Sequence, residues 1–496
     1  MRMTKAIEED LGTVGEDDIT ESTVRKLTVL LEKRILANQE ARTKFPDQPT
    51  KFMDSEIELQ ETLESMQILA AKPSLYNVLA AQVRPIHLLL NLLSHENTDI
   101  SVNIVDLLNE LLKPDGLREA GAEAVNPLID LLFSNQLVHL LTQNLARLDE
   151  SVKDEAEGVH TTLGNLLDVR PDLAVPIAQQ GIFAWILRRI QRRTFDKNKL
   201  YVSEVLAILL QVDDANKTRL GEMDGIDILL QQLAVYKRHD PSTREEAEMM
   251  YNLFDCLCSS LMLAGNKDKF LKGEGVQLMN LMLRERHAAR DCALKVLDYA
   301  LSVVEGLTGD STFLSEGEAA AAANCNKFVE VLGLRTLFPL FMHSPQKSLP
   351  GPTASEMEEH IISIVASLLR HCTGQQQSRV LSKFVENEHE KVDRMVELHF
   401  KYYERVQESN LKVERFRQVC HLFFSARSVF IPTFYLTSQA SLFPYSVVYL
   451  CHILDVFSAH HSVFTHVNIT SVRVFDRRIR RGPPYAPRKG GTGTVT

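Results

Sequence analysis

The first 255 residues contain no cysteine, and the seven in the chain are scattered from Cys256 to Cys451. An odd number at irregular spacing excludes a disulfide framework and suits a reducing compartment. There is no GxxxxGK(S/T) phosphate loop, no HExxH and no GxSxG. That removes the common motif-borne routes to nucleotide, metalloprotease and serine-hydrolase chemistry, so neither enzyme nor cofactor is expected. Cys256-Leu257-Cys258 lacks the second Cys/His pair that a structural zinc site needs, so both cysteines are read as small core residues. No apolar leader opens the chain: Met1 to Asp18 is mixed and then acidic. The sequon Asn216-Lys217-Thr218 therefore has no expected route to glycosylation. The longest apolar stretch, Ser446 to Phe457, follows Pro432 and Pro444 and contains Asp455. It falls short of the ~20 residues of a membrane span, so no membrane partner is expected. Before residue 415 no sustained period-two alternation with hairpin turns occurs, which excludes a sheet-based body.

A repeated phrase is present instead. A glycine, an aliphatic residue and a Leu/Met-rich helix recur from Gly181, Gly225, Gly275 and Gly333, at intervals of 44, 50 and 58 residues. One such unit cannot bury its apolar face alone, so the phrase predicts stacked units: an all-α, armadillo/HEAT-like α-solenoid, a right-handed superhelix. Within a unit a short apolar helix precedes a longer amphipathic one. Met250, Leu253, Phe254, Leu257, Cys258, Leu261 and Met262 follow helical spacing without a miss.

The boundaries follow from composition. Residues 1–20 read as a flexible acidic arm, 21–74 as an N-terminal helical cap and 75–415 as the repeat array. Loops are expected near 302–324 and 344–355, where glycine, proline and serine collect. Residues 416–496 hold 13 of the 34 aromatic residues and read as a poorly ordered, basic-ended tail. The formal charge of −10 divides unevenly: residues 415–496 carry ten basic and two acidic groups, leaving −18 on residues 1–414. An acidic body disfavours direct nucleic-acid binding and favours basic protein segments. Arg477 to Arg481 in the tail has the composition of a nuclear-import signal.

The helix starts resemble armadillo repeats, whose longer third helices line a groove. Several long segments carry a closer resemblance: Asn38 to Leu59, His95 to Leu112, Arg147 to Leu163, Asp196 to Gln211, Phe270 to Glu285 and Glu390 to Tyr402. Over residues 21–415 the chain resembles the beta-catenin-like family of nuclear, spliceosome-associated armadillo proteins. The resemblance implies a nuclear, non-enzymatic scaffold of the NineTeen complex in pre-mRNA splicing. Its implied partners are splicing proteins, notably the Myb-domain subunit, bound through basic import-signal-like segments. The family usually opens with a basic stretch and continues with further helices after the Tyr402 region. This sequence begins at Met1-Arg2-Met3 without that basic stretch, and from about Phe416 nothing in it resembles those helices.

Third-helix positions supply the candidate partner-binding residues: Asp106, Asn109, Glu110, Glu155, Glu157, Asn165, Glu204, Asp255 and Asp298. Carboxylates in such a row would attract Lys/Arg-rich segments. Taken singly, each also fits an ordinary solvated helix face. A karyopherin-like import adaptor is the alternative reading. Against it, Ile208 and Ser259 stand where an asparagine ladder would continue, and the single tryptophan, Trp185, falls on a second helix. Arg188-Arg189 and Arg192-Arg193 read as cations complementing a helix C-terminus. A homodimer is left open.

Overall fold

The computed structural model describes residues 19–168, 181–285, 287–303, 311–343 and 353–424. Among them are 22 α-helices and no strand. The chain forms two compact units, residues 1–300 and 301–496.

The first unit begins with α1 (Glu21–Lys44), α2 (Met53–Met66), α3 (Tyr76–Ala80), α4 (Val83–Asn91), α5 (Thr98–Leu111), α6 (Pro114–Ala120), α7 (Ala122–Ser134) and α8 (Leu137–Arg147). One apolar core runs through them from Ile19 to Leu141. It crosses residue 74 unbroken, because Leu59, Leu63 and Met66 of α2 pack into the same cluster as Leu89 and Ile104. The expected cap and the first repeats therefore share one core. Next come α9 (Lys153–Asp168), α10 (Ile182–Ile190), α11 (Lys197–Val212), α12 (Asp214–Glu222), α13 (Gly225–Leu233), α14 (Arg244–Ser260), α15 (Ala264–Lys272), α16 (Gly275–Arg284) and α17 (Ala289–Leu301). Side-chain oxygens start the long helices. Asn97 Oδ1 accepts from Asp99 N at 3.0 Å, Asp196 Oδ1 from Lys199 N at 2.9 Å and Thr243 Oγ1 from Glu246 N at 3.1 Å.

The glycine phrase is a corner, and its geometry differs from the expected one. At three of the four corners the left-handed residue is the one before the glycine: Asp224 (φ 56°), Glu274 (φ 61°) and Leu332 (φ 64°). The glycine itself opens the next helix, and space is what demands it. A Cβ on Gly225 would sit 2.5 Å from Leu220 Cδ1, on Gly275 2.7 Å from Phe270 Cζ, and on Gly333 2.5 Å from Phe328 Cε2. The blocking side chain is always five residues back, on the preceding helix. Gly181 differs: it is itself left-handed (φ 94°), and a Cβ there meets nothing.

A buried asparagine stands nine residues before each cramped glycine. Asn216 Nδ2 donates to Leu209 O at 2.8 Å, and Asn324 Nδ2 to Ala320 O at 2.9 Å. Asn266 Nδ2 donates to Ser260 O at 3.0 Å and to Lys217 O of the preceding unit at 2.9 Å. Asn216 and Asn266 thus reach carbonyls in the last turn of the preceding long helix, which the helix end leaves open, whereas Asn324 bonds within its own helix. Asn216 is thus a core residue, not a glycosylation acceptor.

The second unit holds α18 (Ser311–Glu330), α19 (Gly333–Met342), α20 (Ala354–His371), α21 (Gly374–Val385) and α22 (Glu390–Phe424). Three expectations need revision here. Most of the loop placed at 302–324 is helix α18. Its alanine run is strongly helix-forming, and Ala320 and Ala321 are buried. Small side chains there let α18 lie close enough to α20 for Cys325 Sγ to reach Ser367 O at 3.7 Å. Of the loop placed at 344–355, residues 344–352 lie outside the described residues. Thr353 and Glu356 form a capping box that starts α20 at Ala354. The tail placed at 416 begins later, because α22 continues to Phe424. The arm to residue 18, residues 425–496 and Arg477 to Arg481 lie outside the described residues.

The arginine cluster at the end of α10 is an ion-pair network, not only a complement to the helix end. Arg189 is 4% exposed. Its Nε and Nη2 donate to the two oxygens of Glu150, both at 2.8 Å, and Nη2 also reaches Asp196 at 2.5 Å. Arg192 Nη1 (2.8 Å) and Asn198 Nδ2 (3.0 Å) fill the remaining acceptor sites of Glu150. Burial pushes the Glu150 carboxyl up, but those hydrogen bonds and the two guanidinium charges hold it below the ordinary value of 4.5.

Two outcomes follow. Gly275→Ala and Gly333→Ala should each lower stability by ~1–3 kcal/mol through overpacking. Gly164→Ala, mid-helix with nothing within 4 Å of the new Cβ, should raise it by up to ~1 kcal/mol. Thermal melts of the three variants check the order; an equal loss in all three would remove the steric account. Glu150→Gln should cost on the order of 3 kcal/mol by leaving Arg189 buried without its carboxylate. Because the Glu150 pKa is depressed on folding, its contribution is whole above the ordinary value of 4.5 and is lost as pH falls through the folded one. Wild type and Glu150→Gln should therefore converge in stability in acid.

Candidate functional site

Helices α5, α9, α11, α14 and α17 lie side by side in the first unit. Gly158 of α9 faces Val102 of α5, where a Cβ would meet Val102 Cγ2 at 2.7 Å. Asn198 Nδ2 of α11 donates to Ala156 O of α9 at 3.0 Å, and His160 and Tyr201 meet edge to face at 4.1 Å. Asn252 Nδ2 of α14 donates to Ser203 Oγ of α11 at 3.2 Å. Lys295 of α17 pairs with Asp255 of α14 at 2.7 Å. Close packing of small residues brings the exposed side chains of neighbouring helices within reach of one another.

Carboxylates meet across two of these seams. Asp106 of α5 faces Glu157 and Thr161 of α9. Burial first, then Glu157 and Glu110, raise its carboxyl above the ordinary aspartate range against the Thr161 hydrogen bond. Glu204 of α11 faces Glu248 of α14, and burial followed by that like charge raises Glu204. Glu248 was not among the sequence candidates. Neither was Asp291 of α17, which burial also raises, partly offset by Arg290. Tyrosines accompany the acids: Tyr201 on α11, Tyr251 on α14 beside Asp291, and Tyr299 on α17 beside Asp298. The pairs Tyr201/Glu204 and Glu248/Tyr251 are spaced i, i+3, a one-face signal legible in the sequence.

The other candidates have different surroundings. Glu155 is occupied at the start of α9, accepting from Thr98 Oγ1 at 3.0 Å and Asp149 N at 2.6 Å. It ties turn to helix and is not available to a ligand. Glu110 pairs with Lys113 at 2.6 Å and Asp255 with Lys295, so both already hold a cation. Asp298 and Asn109 are half-buried. Asn165 lies on α9, with its side chain outside the described residues. The structure therefore brings Asp106 to Glu157 and, at a second seam, Glu204 to Glu248, and sets Glu155 apart. Trp185 on α10 is buried and donates from Nε1 to Leu145 O at 3.1 Å, a structural role. Cys256 and Cys258 are fully buried and burial pushes both thiols up; Cys292 is pushed up to about 12. Among the described residues no group of three or more His, Cys, Asp or Glu could hold a metal. No described helix is long and apolar enough to cross a membrane.

Known proteins agree with this architecture. The profile of the family described as "Catenin-beta-like, Arm-motif containing nuclear" matches residues 2–425, past the limit of 415 expected for the repeats. Beta-catenin-like protein 1 of Homo sapiens is 53% identical over 401 residues, covering 80% of this chain and 68% of the human protein. The Rattus norvegicus protein of that name gives the same figures. The Beta-catenin-like protein 1 homolog of Schizosaccharomyces pombe is 32% identical over 396 residues, 78% of this chain and 64% of that protein. These relatives are armadillo-type interaction scaffolds, not enzymes. The all-helical stack fits that description, and this chain belongs to the catenin-beta-like family of armadillo-motif proteins.

Proposed function

We propose that the chain is a nuclear scaffold of the spliceosome-associated NineTeen complex in pre-mRNA splicing. Basic segments of partner proteins, notably the complex's Myb-domain subunit, would lie across α5, α9, α11 and α14. The nuclear description of the family supports the location. One observation carries the binding mode: carboxylates of neighbouring helices face each other, Asp106 with Glu157 and Glu204 with Glu248, and burial and like charge raise Asp106 and Glu204. A fold that holds unneutralised acids together bears a cost that an incoming Lys or Arg relieves. Tyr201 and Tyr251 add ring faces on which a cation or an aliphatic stem can rest. Asp255 contributes less, since Lys295 already occupies it.

The sign of the pH dependence follows. A carboxylate raised on folding is ionised at the expense of stability above its ordinary pKa, and that expense disappears as pH falls through the raised value. A cationic ligand binds the ionised form. Affinity for a Lys/Arg-rich peptide should therefore weaken as pH falls through the raised values of Asp106 and Glu204, before ordinary carboxylates titrate. Glu204→Lys with Glu248→Lys should weaken it by at least ~10-fold and flatten that pH profile. Fluorescence anisotropy at fixed ionic strength measures both, and an unchanged affinity would remove the acidic face from the mechanism. Affinity purification of the full chain with mass spectrometry tests the assignment. Splicing proteins and small nuclear RNAs are expected, whereas recovery of the import carrier alone would turn the reading to a transport adaptor.

A further inference from the structure

A cleft of about 790 Å³ opens where the starts of α9 and α11 meet the end of α10. That volume is in the ordinary range for a ligand pocket. Its floor is the network of Glu150, Asp196, Arg189 and Arg192. Glu150 accepts four hydrogen bonds there and has no capacity left for a cation. Arg189 lines the cleft and is 96% buried by its 4% exposure, yet its Nη1 has no hydrogen-bond partner. A buried guanidinium donor without an acceptor is costly unless something else supplies one.

The rim points the same way. Lys153 and Lys197, the first residues of α9 and α11, both line the cleft and are both exposed. A cation in the first turn opposes the helix dipole, by ~0.3–1 kcal/mol each. Two such lysines facing one cleft lose that penalty if an anion lies between them. Helix α9 also begins without a side-chain cap: Val152 occupies the cap position, its carbonyl accepting from Ala156 N at 2.9 Å. The first amides of α9 thus remain available to an acceptor. Two further carboxylates line the cleft, Asp149 and Glu157. Asp149 Oδ1 is turned to Ser151 N at 2.9 Å, and Glu157 stands on the side toward Asp106.

We propose that this cleft binds a phosphate monoester carried on a short protein segment, with Lys153, Lys197 and Arg192 as its cationic ligands. A phosphate dianion presents three acceptor oxygens and so serves two ammonium groups and a guanidinium together; a single carboxylate cannot. A long polyanion such as RNA is disfavoured by the charge of −18 on residues 1–414. The site does not depend on the acidic face, and its failure would leave that reading intact.

The test uses the full chain and a fluorescein-labelled peptide of Gly and Ala around one phosphoserine, with Ser and Glu versions as controls. The phosphoserine peptide should bind roughly 10-fold or more tightly than the Ser peptide, with the Glu peptide between them. Lys153→Ala with Lys197→Ala, both exposed and outside the ion-pair floor, should abolish the difference without lowering the melting temperature or changing the affinity for a Lys/Arg-rich peptide. Equal binding of the phosphorylated and unmodified peptides would overturn the proposal. So would full phosphoserine affinity in the double variant. A single-stranded RNA oligonucleotide that outcompetes the phosphopeptide, and is lost in the variant, would reassign the site to nucleic acid.

Discussion

The stack depends on how closely one helix can turn against the next. At Gly225, Gly275 and Gly333 the helix start lies directly on Leu220, Phe270 or Phe328 of the helix before it, with no room for a Cβ. The residue ahead is left-handed, which reverses the chain within one step. The asparagine nine residues earlier is buried; Asn216 and Asn266 tie their helix to the end of the one before it, and Asn266 also grips the preceding unit. A buried aromatic or leucine, an absent methyl group and a buried amide therefore act together. This local geometry sets how α13, α16 and α19 start against the helices before them.

That dependence explains what could be read in advance. The helical periodicity of α14 and the position of the glycine phrase need only the sequence, since both are local patterns. The reason for each glycine was not legible. Positive φ and steric exclusion demand the same residue, and only coordinates separate Gly181 from the other three. Residues 302–324 were misread because glycine and polar residues dominate the beginning of that stretch, whereas burial of Ala320 and Ala321 decides its fate. Tertiary packing overrode a local signal.

The acidic face was partly legible for a related reason. Amphipathic spacing identifies an exposed side but not the use of each group on it. Glu155 and Glu157 are two residues apart; one is consumed by Thr98 and Asp149 at the turn, the other faces Asp106. Asp255 and Glu204 looked equivalent until Lys295 was seen to neutralise the first. Glu248 escaped notice because its importance comes from Glu204 on another helix, a relation that no single-helix pattern contains. Likewise, the arginines at the end of α10 owe their role to Glu150, 39 residues away.

The corners are separated by 44, 50 and 58 residues, yet the three cramped ones are built alike. Length is therefore not the conserved quantity of the unit. The register is reset at each glycine, so residues gained before a corner, in a connection or in the helix that leads into it (20 in α18 against 9 each in α12 and α15), leave the phase of the helices that follow unchanged. Such an array can lengthen without propagating an error along the stack. A fixed-period search would lose step after the second unit, while one anchored on the buried asparagine, the blocking side chain and the glycine would stay in phase.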